Sequence, residues 1–196
     1  MSPQPSNRSA LLEGALRCVG SMPLELISAR ALASEANANL ASIGYHFGSK
    51  DGLVTAAVVE SLDRWLASIG EQLSAVDDSA DGSERFHQAA VAIDATRAAH
   101  QSVARAFVVA LARGHHDKVV ADHLIEGFMH TRPRVAKLLG LGDDDIGTDA
   151  GGLVHALFTG LLVQSLLSDE LSLDADRVVT AFHRIAETIT PYRSND

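Results

Sequence analysis

Apolar residues recur every three or four positions along almost the whole 196-residue chain, and this spacing limits the fold more than any other feature. Leu12, Ala15, Leu16 and Val19 form one such stripe, and Leu62, Leu66, Ile69 and Leu73 form another. A three-four repeat places side chains on one face of a helix, whereas a half-buried strand requires strict alternation. Ala and Leu dominate, and alternating runs of β-branched residues are scarce. The pattern predicts an all-α chain of about nine helices and no sheet.

Caps and breakers divide the pattern. A first helix over 8–19 should end at Gly20-Ser21-Met22-Pro23. Ser28 is a candidate N-cap for a short second helix reaching Glu35, and Asn37-Ala38-Asn39 forms a turn before a third short helix over 40–46. Gly48-Ser49 should end that helix and cap a long fourth one over 50–75. Residues 77–83 read as a loop rich in Asp, Ser and Gly. Helical segments follow over 84–98, 101–113 and 117–139, and Pro133 should kink or interrupt the last of these. Residues 140–148 read as an acidic, glycine-containing loop, and two final helices are expected over 149–167 and 174–190.

Cys18 is the only cysteine, so no internal disulfide is possible, and the polar stretch Met1–Asn7 lacks the apolar core of a signal peptide. A cytoplasmic location is expected. No uninterrupted apolar run reaches the roughly 18 residues of a bilayer span. The segment 151–167 comes near, but His155, Thr159 and Gln164 break it, so it reads as a buried helix and no membrane partner is expected. The net charge of −9 is unevenly placed: residues 1–50 carry four basic and three acidic side chains, net +1, which leaves −10 on the remainder. Beyond roughly 8–10 Å such charges are screened, so an acidic body permits a near-neutral head to approach DNA.

Two short helices joined by a three-residue turn, behind a supporting first helix, make a helix-turn-helix layout. Leu32, Ala33 and Ile43 can meet as its small core, with Ser42, Gly44, Tyr45 and His46 left as candidates to face DNA. The string Asn39-Leu-Ala-Ser-Ile-Gly-Tyr-His-Phe-Gly-Ser-Lys-Asp-Gly-Leu53 resembles the recognition-helix signature of the tetracycline-repressor (TetR) family, which ends its third helix in Tyr-His-Phe before a short Ser-Lys turn. Ser28-Ala-Arg-Ala-Leu-Ala33 and Leu11-Leu-Glu-Gly-Ala-Leu-Arg17 resemble that family's second and first helices. The resemblance covers about a quarter of the chain. It implies an N-terminal DNA-binding domain over 1–48 and a ligand-binding and dimerisation domain over 49–196. Phe47 should plug the three-helix core. Tyr45, His46 and Lys50 are placed to meet phosphates, Ser42 a base edge or phosphate, and Arg30 a phosphate. The chain departs from the family pattern at Gly44, where a larger residue is usual, at Pro23 in the first turn, and in lacking a basic N-terminal cluster.

The same resemblance implies that the last two helices pair with their counterparts across a two-fold axis. The spacing supports this independently. Leu153, Leu157, Gly160, Leu161, Gln164 and Leu167 share one face of the first of these helices, and Val178, Phe182, Ile185 and Ile189 share one face of the second. An interface of roughly 2,000 Å² or more is expected. A regulator of this type senses a small molecule among its middle helices, which makes Phe86, Phe107, Phe128, Met129, His155 and Phe158 candidate pocket residues for an apolar or aromatic effector.

Catalytic and metal chemistry find little support. His116, His123 and His130 recur every seven residues, about 10.5 Å apart along a helix, too far for one ion to bridge. Glu84-Arg-Phe-His87 matches half of a di-iron helix motif, and no second copy is present. No phosphate loop, nucleophile elbow or Cys-x-x-Cys occurs, so neither an enzymatic activity nor a cofactor or metal is expected. The chain reads as a ligand-responsive transcriptional regulator, a repressor released from a pseudo-palindromic operator by a small molecule. The alternative is a dimeric helical ligand-binding protein without specific operator recognition.

Overall fold

The structure is a computed structural model, and it describes residues 7–22, 26–74 and 82–189. Pro23 and most of the expected 77–83 loop lie outside these residues. Among the described residues there are nine α-helices and no strand: α1 (Asn7–Ser21), α2 (Ala29–Glu35), α3 (Ala41–Phe47), α4 (Lys50–Ser74), α5 (Gly82–Arg97), α6 (Gln101–Gly114), α7 (Lys118–Leu139), α8 (Asp145–Ser165) and α9 (Ala175–Ile189). Short 3₁₀ turns at Ala98–His100 and Asp169–Leu171 complete the order.

Local chemistry sets the boundaries of the head. The Ser28 hydroxyl accepts from Ala31 N at 3.1 Å and starts α2, and the Asn39 carboxamide accepts from Ala41 N at 2.9 Å just before α3. Between them Asn37 takes a left-handed conformation, φ 49°, which asparagine tolerates better than most residues. Gly48, φ 73°, closes α3, and the Ser49 hydroxyl accepts from Gly52 N at 2.9 Å to open α4. Arg17 reaches Glu35 through its carboxylate (2.6 Å) and its carbonyl (2.8 Å), tying α1 to the end of α2. Arg64 on α4 pairs with Glu13 and Glu60, tying α1 to the body.

Two expectations need correction. Pro133 does not interrupt α7, which continues to Leu139. The proline is exposed, as is Met129 four residues earlier, so the Met129 carbonyl that loses its partner lies on the outer side where water can bond it. Clamping of the inner face by α4, α6 and α8 outweighs a local cost of about 3 kcal/mol. Residues 145–148 are not loop: the Asp144 carboxylate accepts from Gly147 N at 2.7 Å and starts α8 there, a cap that a run of three aspartates conceals.

Two buried clusters meet at the middle of α4. The first joins Leu11, Leu32, Ile43 and Phe47 of the head to Leu53 and Val58 of α4, Phe107 of α6 and Val120 and Leu124 of α7. The second joins Trp65 and Ile69 of α4 to Ala89 of α5, Val135 and Leu139 of α7, and Val154 and Leu162 of α8. The α4–α7 and α7–α8 crossings are close because Gly127 lies against Val59 and Gly151 against the Arg132 carbonyl. Asp63 of α4 clamps α7 further by accepting from Arg134 Nη1 (2.8 Å) and Thr131 Oγ1 (3.3 Å). Among the described residues, α8 is the one helix with the length and apolarity of a bilayer span. Here it is a wall of the bundle, with Gly147, Gly151, Val154, Leu162 and Ser165 buried.

Candidate nucleic-acid interface and buried cavity

Helix α3, the second of the two short helices of the helix-turn-helix layout, turns Ile43 and Phe47 inward, at 3% and 2% exposure, and its other face outward. Tyr45 is 85% exposed, with its ring edge-on to His46 at 4.8 Å between centroids. Gly44 is exposed beside it, and a methyl group built there would meet nothing within 4 Å. Ser42, half-buried, accepts from Asn7 Nδ2 at 3.0 Å. Arg30 is exposed on α2. Lys50 opens α4 with its ammonium 2.9 Å from the Asp51 carboxylate, which also pairs with Arg113 at the end of α6. A phosphate would therefore have to draw Lys50 away from an existing partner.

Residues that the sequence reading passed over also belong to this surface. The Arg8 guanidinium lies 5.1 Å from the centre of the Phe47 ring, which holds a cation from α1 beside α3. Val119, in the first turn of α7, packs beneath the α3–α4 turn: methyl groups built at Gly48 and Gly52 would lie 3.2 Å and 2.9 Å from its Cγ1. No local signal marks Val119, because only its distant partners give it a role. Arg113 was equally silent, as one basic residue near a helix end.

The second feature is a cavity of about 130 Å³ where the two buried clusters meet. Phe107, Phe128, His155 and Phe158 line it together with Leu62 and Trp65, among others. Phe86 stands behind this wall, 5.8 Å from Phe158 and 4.9 Å from Phe182. Met129 is 61% exposed and faces away, since it is about 100° further round α7 than cavity-facing Phe128. Burial, then the Arg132 guanidinium, push the His155 imidazole below its usual pKa, and Asp63 opposes them. The ring is accordingly neutral around pH 7.

On the outer faces of α8 and α9, Leu153 (75% exposed), Ile185 and Ile189 stand in the open, as does Leu167 in the turn after α8, with Phe182 and Gln164 also exposed. Leu157, Gly160 and Leu161 are half-buried, and Gly160 has nothing within 4 Å of a built methyl. Val178 is placed differently. At 5% exposure it belongs to the interior of this chain, near Ala90, Ile93 and Leu162, one turn before the open part of α9. His116, His123 and His130 do not converge, and among the described residues no group of three or more His, Cys, Asp or Glu side chains is placed to hold a metal. His87 instead lies 2.8 Å from Asp176 and links α5 to α9.

No family model matches the sequence, and no curated protein matches it. Solved structures do. A TetR transcriptional regulator from Rhodococcus sp. superposes with a TM-score of 0.68 at 13% identity, covering 99% of this chain and 100% of that one. The multidrug binding protein EbrR, solved with imidazole, gives a TM-score of 0.65 at 21% identity over 98% and 99% of the two chains. The fatty acid degradation regulator FadR from Bacillus halodurans gives 0.58 at 13% identity over 99% and 100%. At these identities the likeness lies in the backbone arrangement, and it runs over nearly all of this chain: the chain has the all-helical fold of TetR-type transcriptional regulators.

Proposed function

We propose that the protein is a homodimeric, DNA-binding transcriptional regulator, a repressor that a small molecule releases from its operator. Residues 1–48 act as the DNA-binding head and 49–196 as the sensing and dimerising body. The observation that carries this reading is the exposed Ser42–His46 face of α3 on a head whose core continues, through α4, α6 and α7, to the walls of the cavity. Helix α7 is the most direct connection. Val119 supports the α3–α4 turn at one end, and Phe128, Thr131 and Val135 line the cavity further along. A ligand that favours one setting of α7 would change the spacing of the two heads by its differential affinity for that setting.

The test is a titration of the protein into labelled DNA from upstream of its own gene, at two salt concentrations, with a scrambled duplex as reference. Binding at least about 100-fold tighter to the native duplex, and weaker at higher salt, is the expected result. Equal, weak binding to both duplexes would remove specific recognition at that promoter. The second reading, a ligand-binding dimer without operator recognition, would then gain, as Gly44 and the Lys50–Asp51 pair already favour it.

The dimer has its own test. Leu153→Glu combined with Ile185→Glu places charges on two positions that are already solvent-exposed in the subunit, at 75% and 53%. Each subunit should keep its helicity, while sedimentation shows a monomer and operator affinity falls with the loss of the paired heads. A double variant that still sediments as a dimer would place the interface elsewhere.

A further inference from the structure

The cavity walls are of one chemical kind, with few exceptions. Apart from Trp65, Thr131, His155 and Thr159, every lining residue is aliphatic, aromatic or glycine, and none is Lys, Arg, Asp or Glu. Two of the four polar side chains are already engaged. Trp65 Nε1 donates to Thr96 Oγ1 at 2.8 Å, and Thr131 Oγ1 donates to Asp63 at 3.3 Å. His155 is not. Its ring packs 5.6 Å from Phe128, centroid to centroid, and neither ring nitrogen has a hydrogen-bond partner among the described residues. A neutral imidazole in such a wall presents one donor and one acceptor to the cavity, and a ligand that matches them gains a hydrogen bond that the apolar walls do not supply.

Size narrows the occupant further. Apolar cavities of about 150 Å³ take benzene, and this one measures about 130 Å³. A carboxylate or ammonium would find no opposite charge on the lining itself, since Arg132 and Asp63 act on His155 from outside it and Asp63 is already paired with Arg134, so its desolvation would be poorly compensated. A hydroxyl donates and accepts, so it fits the imidazole in either tautomer.

We propose, resting on the cavity being the effector site, that it takes an uncharged single-ring compound bearing one hydroxyl, of which phenol is the simplest, with the hydroxyl hydrogen-bonded to His155. The ring fills the space between Phe107, Phe128 and Phe158, and the hydroxyl supplies the partner that His155 lacks. Affinity comes mainly from the ring, and selectivity from the one polar contact.

Trp65 is the only tryptophan in the chain and lines the cavity, so its fluorescence reports occupancy directly. The full-length protein is titrated with phenol, toluene and benzoate near neutral pH, where phenol is uncharged, with thermal shift as a second readout. Phenol should bind about five- to tenfold tighter than toluene, the gain of one net hydrogen bond, and benzoate should not saturate. In His155→Phe the preference should vanish, with toluene affinity held within about twofold, whereas His155→Gln should keep part of it. Equal affinity for phenol and toluene in the unaltered protein would overturn the assignment. So would a His155→Phe variant that weakens both ligands alike, or a His155→Gln variant with no preference. If none of the ring compounds moves the fluorescence or the melting temperature, the assignment falls while the effector-site reading is untouched. If phenol binds selectively but leaves operator affinity unchanged, the assignment stands and the ligand-response reading falls.

Discussion

Replacing Gly151 by alanine should lower the melting temperature by roughly 5–10 °C, although alanine is the better helix former. A methyl group at this position would lie 2.4 Å from the Arg132 carbonyl oxygen and 2.8 Å from Ala136 N, both backbone atoms of α7. Backbone inside a clamped helix has no rotamer to escape into, so α7 and α8 must move apart by about an ångström. Overpacking of this kind costs about 1–3 kcal/mol, and the packing lost along the crossing adds to it. The intrinsic helix gain of about 0.5–1 kcal/mol does not offset that. The same separation would widen the cavity, because Phe128 and Val135 on α7 face His155 and Phe158 on α8. Thermal melts followed by circular dichroism measure the first effect, and Trp65 fluorescence with a ring probe measures the second. An unchanged or higher melting temperature would mean that the crossing is looser than its geometry shows.

Tyr45→Ala should reduce operator affinity about 100-fold and leave the fold untouched. The ring is 85% exposed, so removing it takes away almost no buried surface. If each head loses about 1–1.5 kcal/mol of DNA contact, a dimer that carries two heads loses twice that. Gly44→Ala separates DNA contact from stability in the opposite direction. With nothing within 4 Å of the new methyl, the free protein should gain about 0.5–1 kcal/mol. Operator affinity should fall several-fold where α3 sits against the bases, since the methyl then fills the space the glycine leaves. Quantitative footprinting alongside thermal melts reads both. A Tyr45→Ala protein that binds its operator normally would remove α3 from the interface. A Gly44→Ala protein with unchanged affinity would show that the glycine marks a missing contact and not a close approach.

Element type and order were legible because they depend on local chemistry. Ser28 caps α2, the Asn37-Ala38-Asn39 turn separates α2 from α3, and Gly48-Ser49 closes α3 and opens α4 where their residue types indicate, and the three-four spacing marks each long helix. Local reasoning failed where a residue answers to a distant part of the chain. Pro133 should break a helix on its own, but α7 is held by three neighbours and the proline faces outward. Asp144 was one of three adjacent aspartates, and the backbone decides which of them caps α8.

The candidate sites divide along the same line. Periodicity alone indicates an all-helical chain, a helix-turn-helix layout with Tyr45 outward and two apolar C-terminal helices, because it says which residues share a face; the inward place of Phe47 followed from the family resemblance. Periodicity could not say what covers each face. Packing between helices settles that Val178 lies inside the chain while Ile185 and Ile189 stand open, and that Met129 looks outward while Phe128 lines the cavity. It also settles that His155 meets an apolar space without a hydrogen-bond partner among the described residues and that Val119 supports the α3–α4 turn. These are matters of where two helices cross. That depends on close contacts at Gly127 and Gly151 and on the Asp63–Arg134 pair, residues far apart in sequence whose meeting no local pattern encodes.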